Sequence, residues 1–486
     1  MKSSSSSFSF SSSGAFRRAL SIPGFVFFLG FLTGCAVGPS YHPPKTTVTS
    51  SFANTNQPGI STGTNDKTVA WWRGFNDPKL DELIKAALLH NPDLRIATAN
   101  LREARAMYRF TQSDFFPVVN GNAGYAKTRY SQAALLGANV NREVELYDAG
   151  FDATWELDLF GHVRRQVQAS SAAFQAAAAT RHDVQVSLLS EVARNYMVLR
   201  GGQHELAVAR QNADNQRETV KITEARLEGG RGTELDVARA RAQLSSSLAT
   251  IPPIETAVEG AIYRLSVLLG QQPTALGADL SNPAPLPQAP AIIAIGTPSE
   301  LLRRRPDIRT AERQLASATA SIGVEVADLF PRVTFNGRLA LEARTFSGLA
   351  KPGADTWSFG PRITWAALDL GHVRARINAA DARTEASLAN YEKVVLGALE
   401  ETENALVDYG RQQNRRDYLA EAAQASATAA RLARQRFDNG ATDFLTVLDA
   451  ERVLLEAQNQ LAFSQTRTAT ALVAVYKALG GGWENQ

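Results

Sequence analysis

Apolar and polar residues alternate with period two along several segments of the chain, the signature of strands with two unlike faces. The clearest is Tyr147 to Asp158. There Tyr147, Ala149, Phe151, Ala153, Trp155 and Leu157 alternate with Asp148, Gly150, Asp152, Thr154, Glu156 and Asp158. A second is marked by Trp357, Phe359, Pro361, Ile363 and Trp365, and weaker alternation runs through Val333 to Leu341 and Val119 to Lys127. The alternation alone fits a half-buried soluble sheet and a membrane barrel equally well. Aromatics on the apolar side and lengths near ten residues are features of barrel strands.

Elsewhere the spacing is helical. A helix is expected from Pro78 to about Ser113. Two proline-free runs of roughly 63 residues follow the strand pairs, Arg164 to about Leu227 and Arg374 to about Phe437. As helices each would reach roughly 95 Å, about three times the hydrocarbon thickness of a bilayer, so they must project. Gly201-Gly202 is a candidate soft point in the first. Leu388, Tyr391, Val395, Leu399, Thr402, Leu406 and Tyr409 form a three-four seam in the second. After Gly440, Leu454, Leu461, Thr468 and Val475 run beside Leu448, Leu455, Ala462, Ala469 and Tyr476. Two adjacent seven-residue seams let one helix pack on both sides.

These elements occur twice. Asn91-Pro92-Asp93-Leu94 returns as Arg305-Pro306-Asp307-Ile308, and Phe116-Pro117 as Phe330-Pro331, both at an offset of 214. Trp155 and Trp365, Arg226-Leu227-Glu228-Gly229-Gly230 and Arg436-Phe437-Asp438-Asn439-Gly440, and Leu269-Gly270 and Leu479-Gly480 match at an offset of 210. Landmarks in constant order imply two structural repeats, residues 71–290 and 291–486, joined through the proline-rich stretch Ser281 to Pro298. The sheet sets a further condition. Open strand edges cannot be satisfied in lipid, and the smallest barrels have about eight strands, so four strands per chain close only in an oligomer.

The amino terminus reads as an export signal covering residues 1–34. Arg17 and Arg18 precede an apolar run, Ala19 to Leu32, that is too short to span a bilayer. It ends in Leu32-Thr33-Gly34-Cys35, which resembles a bacterial lipoprotein cleavage box. Cys35 is the only cysteine in the chain. It is the expected lipidation site, carrying diacylglycerol and an acyl chain such as palmitate. Ala36, where an aspartate would favour inner-membrane retention, points by resemblance to the outer membrane. Residues 35–70, rich in Pro, Ser, Thr and Asn, read as a lipidated, extended tether.

Composition narrows the chemistry. Lys+Arg of 51 against Asp+Glu of 48 gives a net charge of +3 without a basic block, which argues against nucleic acid. The six histidines show no metal-ligand spacing on one helix, and no hydrolase or phosphate-binding motif is present. No catalytic residue, metal site or cofactor is expected.

Together these residues resemble the outer-membrane factor family, specifically the NodT-like efflux lipoproteins of resistance-nodulation-division tripartite pumps. The most specific stretch is Pro298 through Arg309, with Ala311-Glu312-Arg313-Gln314-Leu315 and Phe330-Pro331. The resemblance implies an α+β membrane protein: a homotrimeric twelve-stranded β-barrel, four strands per chain, continued by a long periplasmic α-helical barrel. It implies a passive exit duct for drugs or small molecules, contributing to antibiotic resistance. Its expected partners are a periplasmic adaptor (membrane fusion) protein, an inner-membrane transporter and outer-membrane lipid. It also places a periplasmic gate at the helix turns Gly229 to Thr233 and Gly440 to Asp443. Leu445 matches an apolar ring, Asp449 a carboxylate ring, and Arg452 a basic partner able to tie neighbouring helices. Some relatives carry a second aspartate where this chain has Thr446. Asp236 is a gate candidate or, through Thr233-x-x-Asp236, a capping-box residue. A duct for type I protein secretion is the alternative. A pore-free coiled-coil lipoprotein would lack the aromatic strands, and an envelope hydrolase would need a catalytic constellation.

Mass spectrometry of the mature protein is expected to show residues 1–34 missing and acyl chains on Cys35. An unmodified terminus elsewhere would refute the anchor.

Overall fold

The computed structural model describes residues 36–63, 69–131, 133, 142–290 and 292–483. The signal sequence and Cys35 lie outside the described residues. The chain forms two compact units, which cut across the two sequence repeats. One unit carries the strands (its described residues run up to Gly38, then Asp114–Arg165 and Gly323–Val373), and the other is helical.

The strand unit is one antiparallel sheet, β1 (Val118–Arg129), β2 (Glu143–Leu157), β3 (Arg332–Ala343) and β4 (Asp355–Thr364), in that order. Register keeps the two faces unlike across all four strands, because a one-residue slip would exchange them. Phe151 stands opposite Gly121 on one side and Leu339 on the other, and Leu339 stands opposite Trp357. Trp155 is paired with Phe335, and Phe335 with Pro361. On this face Phe151, Leu339, Trp357, Phe359 and Ile363 are all exposed, between 56% and 68%. A monomeric soluble sheet would bury such a face; a lipid-facing one leaves it bare. The opposite face is polar. Arg338 lies 3.7 Å from Asp148, 3.8 Å from Asp152 and 3.1 Å from Glu342, and Asn122 donates to Asp152. At one end of the sheet the Trp155 and Trp365 indoles donate to Phe115 O and Leu329 O, each at 3.0 Å, one bond per repeat. β1 and β4 form the two edges, and neither has a second strand partner among the described residues.

In the helical unit the first expected helix is two. α1 (Pro78–His90) and α2 (Pro92–Ser113) are separated at Asn91, because Pro92 cannot donate to the turn before it and forces Asn91 into an extended conformation. The other described helices longer than one turn are α3 (His162–Glu228), α4 (Glu234–Ala249), α5 (Ile251–Leu268), α6 (Pro298–Arg304), α7 (Pro306–Ala327), α8 (Leu370–Asp438) and α9 (Phe444–Ala478). The 67 residues of α3 run unbroken through Gly201-Gly202. Those glycines do not soften the helix. A Cβ at Gly201 would fall 2.1 Å from the Thr466 hydroxyl, and one at Gly202 2.9 Å from Val258, so they are contact points for neighbouring helices. The break between α4 and α5 falls where Pro252-Pro253 enters the first turn of α5. No described helix is long and apolar enough to cross a membrane.

The main core gathers Trp71, Trp72 and Phe75, Leu80 and Ile84 of α1, Leu189 and Tyr196 of α3, Leu265 of α5 and Tyr476 of α9. Trp71 stacks on Tyr476 with centroids 4.9 Å apart. Tyr196 donates to Asp77, the N-cap of α1, at 2.9 Å. The two repeats close on this core in the same way. The Asn91 amide donates to Leu268 O, the end of α5, at 2.9 Å, and accepts from Leu94 N at 3.0 Å. Its counterpart Arg305 donates to Ala478 O, the end of α9, at 2.7 Å and pairs with Asp307 and Glu401 at 2.8 and 2.7 Å. Each caps an orphan carbonyl at a helix C-terminus. The expected tether is extended but seated on the helices. Ala53 N donates to Glu403 at 2.7 Å, Gln413 donates to Pro58 O at 2.9 Å, and Ile60–Ser61 pairs in parallel with Ile293–Ala294.

Arg305→Ala would leave the Ala478 carbonyl and two carboxylates without their buried donor, at a cost of about 3 kcal/mol. A clear fall in the denaturation midpoint of the purified protein is expected, and an unchanged midpoint would refute the stabilising role of this cap.

Candidate functional site: the helix turns and the start of the last helix

Both long helices end in the same motif. Gly230 adopts φ +68° and Gly440 φ +73°, a backbone state that glycine enters without a Cβ clash. Arg231 N donates to Arg226 O, and Ala441 N to Arg436 O, both at 2.8 Å. Gly230 N and Gly440 N donate to Leu227 O and Phe437 O. This double bond reverses the chain sharply and satisfies the last carbonyls. Each next helix opens on a side-chain cap. Thr233 accepts from Asp236 N while Asp236 accepts from Thr233 N at 3.3 Å and from its hydroxyl at 2.7 Å, a complete capping box. In the second turn Asp443 accepts from Thr446 N at 3.0 Å and from the Thr446 hydroxyl at 2.6 Å. These donors hold the Asp443 carboxyl below the ordinary aspartate range. Thr446 is thus committed to the cap of its own helix.

The turns are pinned by a small core of Val220, Ala240, Ala433, Phe444, Val447 and Leu448. Phe437 and Phe444 meet at 5.4 Å, and the Arg226 guanidinium lies 3.9 Å over the Phe437 ring. Packing this side of α9 turns the other outward. Leu445, Asp449 and Arg452, four and three residues apart, share the unpacked face. Leu445 is 49% exposed, and the Asp449 and Arg452 side chains 63% and 55%. Arg452 donates to Asp449 at 2.8 Å within the same helix. Leu445 and Asp449 line a groove of about 880 Å³ whose far wall includes Leu432 and Arg436 of α8. No cluster of metal-binding residues occurs among the described residues.

The model for outer membrane efflux proteins matches residues 83–271 and 297–481, one match on each repeat. The chain belongs to this family. The solvent efflux pump outer membrane protein SrpC of Pseudomonas putida is 32% identical to it over 465 residues, covering 94% of this chain and 97% of the relative. Nodulation protein T of Rhizobium leguminosarum bv. trifolii is 30% identical over 470 residues, covering 94% and 96%. Among solved structures the outer-membrane channel OprN superposes with a TM-score of 0.88 at 43% identity, covering 93% of this chain and all of the other. The fold expected from the sequence, a trimeric barrel to which each chain gives four strands, extended by helices, is the fold of these channels. The family is one of outer-membrane efflux channels and not an enzyme class.

One residue of the turn region escaped the sequence reading. Glu451, between Asp449 and Arg452, points the other way and is buried. It accepts from Arg434 of α8 at 2.5 Å and from Gln216 and Thr219 of α3, each at 3.3 Å. Three long helices are therefore joined at one carboxylate. The signal was present: Glu451 falls between Leu448 and Leu455, so a charge occupies the packing seam, where only a partnered one is tolerated.

Glu451→Ala is expected to lose about 2 kcal/mol of local stability, since the bonds go to a charged acceptor. Amide exchange should accelerate at residues 212–223 and 430–437. Asp449→Ala, which removes only an exposed, solvent-screened pair, should leave the same amides essentially unchanged. Equal effects would overturn the distinction.

Proposed function

We propose that this channel protein is the passive exit duct of a tripartite efflux system, lipid-anchored at Cys35 in the outer membrane and reaching into the periplasm. The observation that carries this reading is the sheet: four strands with a bare apolar face, a polar reverse face and two open edges. Backbone groups at such edges cannot be left unpaired in hydrocarbon. Three copies give twelve strands, within the range of closed outer-membrane barrels, with the Arg338 clusters facing the water-filled lumen. The relative SrpC is a solvent efflux pump outer membrane protein, which supports drugs or small molecules as cargo and supports a periplasmic adaptor and an inner-membrane transporter as partners.

The gate is assigned to the outward face at the start of α9. Three copies of Leu445 form the apolar constriction and three of Asp449 a carboxylate ring. Two unit charges 5 Å apart in water repel by about 1 kcal/mol, and by several times that in a narrow pore of lower dielectric. Arg452, paired with Asp449 on the same helix, offsets that repulsion in the closed state. Asp236 is spent on its cap, and the facing turn serves as a secondary element of the gate. Opening is then an outward splay of α8 and α9, with the helices themselves intact.

The test has two arms. Purified trimers in planar bilayers are expected to show raised conductance for Leu445→Ala and Arg452→Ala, and weakened cation selection for Asp449→Ala. Wild-type conductance for all three would place the gate elsewhere. A deletion strain should become several-fold more susceptible to a broad antimicrobial panel, with its secreted proteins unchanged. Loss of a secreted protein with unchanged susceptibility would favour the type I secretion duct.

A further inference from the structure

The residues that follow Cys35 are held by the strand unit in a fixed path. Val37 N donates to Phe160 O at 3.1 Å. Arg165, only 5% exposed, donates from Nε to Val37 O at 2.9 Å and from Nη2 to Gly38 O at 3.0 Å. The path leaves no room for side chains at its contact points. Gly161, at φ +87°, lies so close to Ala36 that a Cβ there would fall 2.6 Å from the Ala36 Cα. A Cβ on Gly38 would fall 2.5 Å from the Gly323 Cα, and one on Gly323 2.8 Å from the Arg165 side chain. A buried guanidinium that spends two donors on main-chain carbonyls reads the path of the backbone, and the close approach of Gly38 to Gly323 admits only glycine there. This is how a protein seats an extended segment, and a free tether needs none of it.

The level of this seat is informative. Phe160, which accepts from Val37, stacks on Phe330 with centroids 4.7 Å apart. Both lie just past the strand ends at Leu157 and Arg332, where the Trp155 and Trp365 indoles also make their backbone bonds. Aromatic rings with satisfied polar edges gather at the headgroup level of a membrane, at the rim of the apolar band. A lipid anchor on a flexible tether would hold the protein to the bilayer but fix no height for the barrel.

We propose that Gly161, Arg165 and Gly323 form a receptor slot for residues 36–38, so that a lipid anchor preceding them would enter the membrane at the level of the aromatic rim. An acyl group there enters the leaflet in which the strands end, and the anchor becomes a fixed part of the barrel wall. The assignment of the slot to an acylated residue rests on the lipid-anchor reading; the slot itself does not.

The test is hydrogen–deuterium exchange on the full-length protein purified in detergent. In the wild type the Val37 amide should exchange at least about tenfold more slowly than in Arg165→Ala. The strands 143–157 and 332–343 should keep their protection in both, which excludes general unfolding. Gly323→Val, with Arg165 intact, should release Val37 as well, by filling the slot. Cys35→Ser, exported behind a leader that is not acylated, should leave Val37 protected. Free exchange of Val37 in the wild type, or protection that survives both Arg165→Ala and Gly323→Val, would overturn the slot. Val37 protected while mass spectrometry finds no acyl group on the wild-type terminus would uphold the slot and overturn the lipid-anchor reading alone.

Discussion

An unpaired backbone group costs several kcal/mol in hydrocarbon, and a sheet of four strands leaves two rows of them. Most of the molecule follows from that constraint. The antiparallel order keeps sequence neighbours adjacent, so the only groups left over are those of β1 and β4. The register keeps Phe151, Leu339 and Trp357 in one row and the Arg338 cluster on the reverse face. A single copy exposes that aromatic row, and closure with further copies is what turns an aggregation hazard into a membrane wall.

Duplication solves a second problem, the termination of very long helices. Each repeat ends its last helix against a landmark of its own beginning: Leu268 O on Asn91 and Ala478 O on Arg305. The side chains differ but the geometry is the same. An amide donor suffices in the first repeat, whereas in the second a guanidinium also gathers Asp307 and Glu401. The same economy appears at the turns, where Gly230 and Gly440 build one reversal twice and Thr233 and Asp443 cap the helices that follow. An exposed leucine opens the helix after each turn, Leu235 and Leu445, but only the second copy adds the Asp449 and Arg452 pair, so the repeats share a scaffold and diverge in what they present.

The two faces of the start of α9 show how stability and function separate. Glu451 is buried and joins three helices, while Asp449 and Arg452 form an exposed pair of small energetic weight. An exposed, weakly stabilising pair is suited to being made and broken. A buried carboxylate with three donors is suited to keeping the helices in register while that happens.

Period-two alternation, two proline-free runs and constant offsets between landmarks were enough to place the strands, the long helices and the repeats, because each is a local or periodic property of the chain. The capping pattern at Thr233 and Asp236 was legible for the same reason. Other features needed the fold. Asn91-Pro92 read as the interior of one helix, since a lone proline does not reveal which extended residue precedes it. Gly201-Gly202 read as a soft point, because sequence does not show Thr466 and Val258 pressing against it. The segment after Cys35 read as a tether, because its partners Arg165, Glu403 and Gln413 are distant in sequence. The sequence by itself determined which elements form and which faces are apolar. Only the tertiary structure decided which polar groups meet, because hydrogen bonds between remote residues depend on distances that no local pattern encodes.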